Sequence, residues 1–446
     1  MKIPVSAKSA ERSERKLFHA WRALGHRNFR LFFVGQGISV IGTWMTRLAT
    51  TWLVYHLTHS ALMLGIVGFS GQIVSFLLGP FAGVWVERMN RRKMLVATQV
   101  AAAVQSLALA GLTLAHRITL GEVIALTVLQ GLINAFDMPG RQSFLVQMVE
   151  DRNDLVNAIA INSSMVNAAR LVGPAIAGLV IAAVGEGCCF LIDGVSYLAV
   201  IASLLMMRIR PLDKVLHKAS MVEQMREGWD YVSRYRPIRT VLLVLALVSL
   251  MGYPYMVLLP VFASQILHGG PTTLGMLSAA SGAGALISAI SLALRKSVDG
   301  LARMLQIAPA TLGIALVLFG LSHRLWVSLL LMVFAGFGLI QVAAACNTIL
   351  QSLVTEDKRA RVMGYFTMAF VGAAPFGSLL AGLLAHRIGA PHTVMVTGAC
   401  CVACAVWFTT ELPMLTAALR PDAYGVKMPA HSYPAVVSRE RENEVA

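Results

Sequence analysis

Eight stretches of this chain run for 18 or more residues without one charged side chain: 61–86, 94–115, 240–266, 271–294, 304–321, 325–350, 362–385 and 393–410. A helix needs about 20 apolar residues to cross the hydrocarbon core of a bilayer, so these runs constrain the fold more than any motif does. Four further stretches, 29–55, 120–143, 155–184 and 187–207, have the same length with an internal or flanking charge. A membrane barrel would instead show strands of about 10 residues alternating polar and apolar positions, and these runs do not alternate. The expected fold is an all-α membrane protein with twelve transmembrane helices. Composition agrees, with 57% hydrophobic and 13% charged residues against roughly 25% charged in a soluble globular protein.

The charges that remain are sorted by side. Of the 37 Lys and Arg residues, 32 fall in the two tails and in every second connection, while the other connections hold only Arg117, Arg324 and Arg387. Arg47 and Arg170 lie inside spans. Cytoplasmic loops carry the excess of Lys and Arg, so both termini are expected in the cytoplasm and the protein in the cell inner (plasma) membrane. The net charge of +15 then reports topology, and nucleic acid is not an expected partner. The basic start of the chain has no apolar core before residue 31 and does not read as a signal peptide.

Six spans precede a long basic connection and six follow it. The expected organisation is a basic N-terminal tail (1–28), a first six-helix bundle (29–207), a central loop (208–239), a second bundle (240–410) and a polar, disordered C-terminal tail (411–446). Within the central loop, residues 221–235 form an amphipathic stretch expected to lie along the membrane surface. The two halves resemble each other. Gly173, Ala177–Gly178 and Gly185 in the fifth span have counterparts at Gly377, Ala381–Gly382 and Gly389 in the eleventh, each 204 positions on. Leu64–Gly65 opens the second span as Leu274–Gly275 opens the eighth. Two repeats of six helices are one architecture of secondary transporters.

Small residues crowd the second and fifth spans, with Gly65, Gly68, Gly71, Gly79 and Gly83 in one and Gly173, Ala177 and Gly178 in the other. Lipid supplies no hydrophobic drive for helix association, so close backbone approach has to supply packing. Pro174 beside Gly173 removes a backbone hydrogen bond and favours a hinge.

The connection after the second span reads Gly83-x-x-x-Glu87-Arg88-x-Asn90-Arg91-Arg92-Lys93. Here the sequence resembles the major facilitator superfamily, with Glu87 for the usual Asp and Asn90 for the usual Gly; Asn tolerates positive φ better than most residues. Gly173–Pro174 and Ala177–Gly178 resemble that family's antiporter motif, in which a second Gly usually stands at the position of Ala177. Residues 135–142 with Asn167-x-x-Arg170 look like the branch of enterobactin-type siderophore exporters and macrolide efflux pumps. The resemblance implies two bundles rocking about a central cavity, with Glu87 locking them together at the cytoplasmic face. Arg88, Arg91 and Arg92 would pair with Glu87 or with lipid headgroups.

Charge inside a membrane is expensive and marks function. Arg47, Asp137, Arg170 and Asp193 all fall in the first six spans. Arginine keeps its proton, so Arg170 is a candidate to bind an anionic substrate group or to tune an acid, with Asn167 one turn before it; Arg47 can also snorkel outward. Asp137 precedes Arg141 by four residues, a spacing that suits an intrahelical ion pair at the cytoplasmic gate. Asp193 is a candidate protonation site or a hydrogen-bonded structural acid. The six cysteines read as small apolar residues. His56 and His59 have no acid close in sequence, and no metal is expected.

These features together point to a secondary transporter exporting a hydrophobic or amphipathic small molecule, a drug or a siderophore, by proton antiport. The first span carries no acid, which keeps a facilitator open. A membrane sensor or scaffold is the reading from another class, and no set of converging catalytic groups argues for an enzyme. No G-x-x-x-x-G-K-[ST] sequence is present, so ATP is not an expected energy source, and no cofactor is expected. The expected partners are substrate, protons and lipid, on a monomer.

Overall fold

A computed structural model of the chain describes residues 22–149, 152–208, 221–295 and 300–419. Most of the expected basic tail, part of the central loop and residues 420–446 fall outside these, as do the side chains of Gly83, Glu87 and Arg88. All secondary structure among the described residues is helical. The membrane-length helices are α1 (Arg27–Thr58), α2 (Ala61–Arg88), α3 (Arg91–Leu114), α4 (Leu120–Met148), α5 (Arg152–Val184) and α6 (Glu186–Met206) in the first half. In the second half they are α7 (Arg236–Ile266), α8 (Pro271–Ala293), α9 (Leu301–Leu321), α10 (Leu325–Leu353), α11 (356–388) and α12 (Ala390–Leu419). Eleven of these are apolar enough to cross a membrane. The exception is α1, whose 32 residues include Gln36, Ser39, Thr43, Thr46, Arg47, Thr50 and Thr51.

Local chemistry sets the ends. Asn90 caps α3, its Oδ1 accepting from the Lys93 backbone N–H at 3.1 Å. Its φ is −73°, so this Asn serves as an N-cap and not in the positive-φ role its place in the loop suggests. Thr119 and Glu122 form a reciprocal capping box at the start of α4. At the other end of the chain, α12 continues past the expected limit at residue 410. Glu411 accepts two bonds from Arg236, at 2.7 and 3.2 Å, and one from Thr240 at 3.3 Å, and Leu415 and Ala418 are buried. Residues 411–419 are therefore helix held against the start of α7, not tail.

Irregular backbone collects in the second half. α7 breaks at Gly252–Pro254 and ends in a π-turn, Phe262–Ile266. α11 widens into a π-turn at Met368–Gly372, just before Pro375, which cannot donate to the turn below it. The expected hinge at Gly173–Pro174 lies in an α5 that remains helical from Arg152 to Val184.

The helices form two bundles. In the first, α1 packs on α5 and α6, α2 on α4, and α3 on α4 and α6; in the second, α9 packs on α10 and α12, and α8 on α10. The bundles meet chiefly along α5 with α8 and α2 with α11. Both contacts are made backbone to backbone. A Cβ on Gly275 would sit 2.7 Å from the Pro174 carbonyl oxygen and 2.9 Å from the Gly178 Cα. A Cβ on Gly65 would sit 2.7 Å from the Ser378 carbonyl oxygen and 2.9 Å from the Gly382 Cα. These are the four glycines of the sequence repeat: Gly178 corresponds to Gly382 and Gly65 to Gly275, so the two contacts are equivalents of each other.

Both contacts lie toward the end of the molecule that carries residues 59–60, 185, 267–270 and 389, here the far end. Toward the middle, the interface continues through Phe376, whose ring centroid lies 5.9 Å from Phe69 and 6.4 Å from Phe76. At the opposite, tail-side end the linker helix Met221–Arg234 packs on α11. Glu227 meets Arg361 at 2.6 Å, Lys358 sits over the Tyr231 ring at 4.6 Å, and Trp229 lies beside Tyr365.

Because no methyl fits at Gly275, Gly275→Val should force the far ends apart. Spin labels on Arg117 and Arg324, in a background lacking the accessible cysteines, should move several ångströms further apart by double electron–electron resonance. An unchanged distance would mean that the glycine contact does not hold the bundles closed.

Candidate functional site

Just tailward of the far-end contact, α5 turns Arg170 toward α1. Gly173 makes this possible, since a Cβ there would lie 2.6 Å from Trp44 Cβ and 3.0 Å from the Ile41 carbonyl oxygen. With α1 and α5 this close, the Arg170 guanidinium lies over the Trp44 indole at 5.0 Å. Arg47, one turn along α1, places its own guanidinium 5.2 Å from the same ring. The Arg170 backbone lies against α8, where a Cβ on Gly282 would be 2.7 Å from the Arg170 carbonyl oxygen. Tyr253 and Tyr255 of α7 are its electrostatic neighbours from the second bundle. Tyr255 shares a 2.6 Å hydrogen bond with Ser281 of α8.

The antiporter-like segment is thus a packing surface with two sides. Gly173 admits α1, while Pro174 and Gly178 admit α8. Ala177 is fully buried and its carbonyl accepts a weak bond from the Cys189 thiol at 3.9 Å. Asn167 does not join the cluster: its amide donates to the Ser163 carbonyl at 2.9 Å.

The acids lie elsewhere in the first bundle. Asp193 of α6 is 2% exposed and packs against Gly42 of α1. Its Oδ2 accepts from Ser106 of α3 at 3.1 Å, while Oδ1 is buried without a hydrogen bond beside the equally unbonded Thr46 hydroxyl. Among the described residues, Asp193 is the membrane-buried carboxyl with no cation partner. Asp137 of α4 is better supplied. It forms the expected ion pair with Arg141 and accepts from Thr98 at 3.0 Å and Gln99 at 2.7 Å on α3. Tyr197, buried on α6, lies in the electrostatic range of both acids.

The remaining gate residues are bound within their own bundle. Arg91 donates to the Ser143 carbonyl at 3.1 Å and Arg92 to the Leu205 carbonyl at 2.5 Å. Leu205 lies in the last turn of α6, where the dipole also favours a cation, and Ser143 lies a turn further in from the end of α4. Gly83, Glu87 and Arg88 belong to α2, with side chains outside the described residues.

Several partners escape a linear reading. Trp44 is flagged only by standing three residues before Arg47, which is one helical turn. Tyr253, Tyr255, Ser106 and Tyr197 carry no signal of their own. His56 meets Glu186 at 3.3 Å, an acid that sequence proximity hides, and no metal-binding cluster is found among the described residues. A solvent-open crevice of about 520 Å³ between the linker helix and α11 is lined by Glu227, Asp230, Tyr231, Tyr235, Lys358 and Arg361 among others. Burial pushes the Tyr235 phenol above its ordinary pKa.

The sequence of residues 18–441 matches the family described as transmembrane secretion effectors. The staphyloferrin A transporter of Staphylococcus aureus is 25% identical over 371 residues, 83% of this chain and 92% of that protein. The multidrug efflux pump Tap of Mycolicibacterium fortuitum is 27% identical over 374 residues, 81% of this chain and 88% of that one. Among solved structures, a POT family transporter in complex with 5-aminolevulinic acid superposes with a TM-score of 0.69. It covers 89% of this chain and 97% of its own at 12% identity, a likeness of fold.

Arg141 is 28% exposed and its partner 9%, so removing the cation strands a carboxylate in the bundle. Arg141→Ala should lower the melting temperature by roughly 5 °C, and adding Asp137→Asn should restore most of it. Scanning fluorimetry of the purified variants checks this, and a single-variant shift that Asn fails to correct would assign the loss to packing of the Arg141 stem instead.

Proposed function

The chain belongs to the transmembrane secretion effector family of major facilitator transporters, and we propose that it exports a hydrophobic or amphipathic small molecule by alternating access coupled to protons. The observation that carries this reading is the pair of equivalent glycine contacts, Gly178 with Gly275 and Gly65 with Gly382. At the far end they join the two bundles backbone to backbone. The Arg47, Trp44 and Arg170 cluster lies just inside this closed end. Exposed Asn134, Gln142, Ser163 and Ser164 lie tailward of it on α4 and α5, where a path from the tail side would run.

In this reading all twelve helices cross the inner membrane, with α1 as the twelfth crossing and both termini cytoplasmic. The protein works as a monomer in contact with lipid. Of the polar residues of α1, Gln36 and Ser39 are buried between helices, while Thr43 and Arg47 are exposed. The far-end closure then corresponds to a state open to the cytoplasm. Asp193 is assigned as the carboxyl that takes and releases the proton, since it is buried, half-bonded and without a cation. Glu87 is assigned to the gate that closes the cytoplasmic side when the far end opens. The relatives named for staphyloferrin A and for multiple drugs support a siderophore or a drug as cargo.

The test is uptake into inverted membrane vesicles, with a panel of dyes, macrolides and catecholates under an imposed proton gradient. Accumulation should collapse with a protonophore. Asp193→Asn should lower gradient-driven accumulation more than tenfold while sparing exchange of substrate across the membrane. Gradient-independent equilibration would overturn antiport and leave a facilitator, the reading favoured by an α1 without an acid. No flux of any compound through folded protein would overturn export.

A further inference from the structure

Two guanidinium groups share one indole ring at the junction of the bundles, and no acid answers them. Neither Arg47 nor Arg170 forms an ion pair with any described residue; those present involve Arg22, His26, His56, Arg141, Arg236, Arg359 and Arg361. The described acids of the first bundle are engaged elsewhere, Asp137 with Arg141, Thr98 and Gln99, and Asp193 with Ser106. Around Arg170 the electrostatic neighbours are Tyr253, Tyr255 and the second cation, Arg47. Its Nε–H is buried and lacks an acceptor.

Such an arrangement is costly as it stands. Arg47 is exposed and Arg170 half-buried, so their mutual repulsion is partly screened, but a buried charged donor left without an acceptor is among the more expensive defects in a protein. The Trp44 face offsets only part of this, because cation–π attraction is modest. The other charged groups inside the first bundle, Asp137, Arg141 and Asp193, have hydrogen bonds or a counter-charge from their own bundle, Asp193 being half satisfied. The cluster keeps its positive charge, a free donor and an aromatic wall.

We infer that the Arg47–Trp44–Arg170 cluster binds the carboxylate of a planar, amphipathic organic anion, which is the class of substrate this transporter carries. The inference rests on the export reading and narrows it. A carboxylate can accept two parallel N–H bonds from a guanidinium, and its planar body can lie along the indole. Tyr253 and Tyr255 reach the same place from the second bundle, so an anion seated there touches both halves. Its arrival supplies the missing charge at the point about which the bundles move, and its departure restores the repulsion. Differential affinity of this kind is what a ligand needs in order to shift a two-state equilibrium.

The probes are naphthalene-2-carboxylate and naphthalene-2-carboxamide, matched in shape and different in charge, titrated against the purified full-length protein by calorimetry. The carboxylate should bind about tenfold more tightly than the carboxamide. Arg170→Gln should abolish that preference, Arg47→Gln should reduce it, and Arg170→Lys should keep part of it, in variants that elute and melt as folded protein. Equal affinities for the two probes, binding of neither, or a preference that survives Arg170→Gln with Arg47→Gln would overturn the inference. The wild-type comparison stands even where a variant fails to fold. Because the titration needs no flux, it separates from the vesicle experiment. Gradient-driven transport without a carboxylate preference leaves export standing and removes the anion site, while a carboxylate preference without transport does the reverse.

Discussion

The two halves of this molecule are held together by contact between peptide backbones. In hydrocarbon the usual drive for burying side chains is absent, and helices associate only as far as packing and hydrogen bonds permit. Gly178 on Gly275 and Gly65 on Gly382 bring α5 to α8 and α2 to α11 at a distance that no Cβ allows. Everything else about the interface follows from that closeness. Arg170 is carried down to Gly282, Phe376 is wedged between Phe69 and Phe76, and the Phe76 ring abuts Gly372. The interface thus combines two backbone contacts at the far end with a cluster of aromatic side chains toward the middle.

Charge is handled differently in the two bundles. The first holds Arg47, Asp137, Arg141, Arg170 and Asp193 within or at the ends of its helices. Most of these are tied to their own bundle, as are Arg91 and Arg92 through backbone carbonyls of α4 and α6. The second bundle keeps its described ion pairs at the tail-side end, Arg236 with Glu411 and Arg361 with Glu227. Between Gly252 and Ile266 it offers backbone irregularity instead. A rigid, polar-cored bundle facing an apolar one with a broken helix and two π-turns gives a division of work, in which one half presents charge and the other yields.

Much of this was legible in the sequence because bilayer thickness and backbone hydrogen bonding leave few alternatives. Twelve spans are legible as runs of membrane length, eight free of charge and four with an internal or flanking charge. α1 is the instructive exception, since its threonines, Gln36 and Arg47 leave it the one of the twelve without a stretch apolar enough to cross a membrane, and its packing on α5 and α6 is a tertiary fact. The repeat was visible as aligned small residues 204 positions apart, yet which glycine meets which across the interface depends on how two bundles are set side by side. The i, i+4 spacing carried the Asp137–Arg141 pair because a helix fixes it. No comparable rule links Glu186 to His56 or Trp44 to Arg170, which lie more than a hundred residues apart and meet only through packing. The function of Asn90 was misread for a related reason. Its side chain caps the helix that follows, so an extended φ serves where a turn of positive φ was expected.

One helix links the far-end contact to the tail side. α11 meets α2 through Gly382 at the far end, meets Phe76 through Gly372 at its π-turn, and meets the linker helix through Tyr365, Arg361 and Lys358 at the tail side. The π-turn at Met368–Gly372 divides it into two segments, so the far segment can move with the glycine contact while the tail-side segment stays with the linker. Its repeat counterpart, α5, has no such widening and runs helical through Pro174. The symmetry of the sequence repeat is therefore broken at the backbone. The two equivalent contacts are backed differently: α8 meets a helix that is continuous through Pro174, whereas α2 meets one interrupted by a π-turn.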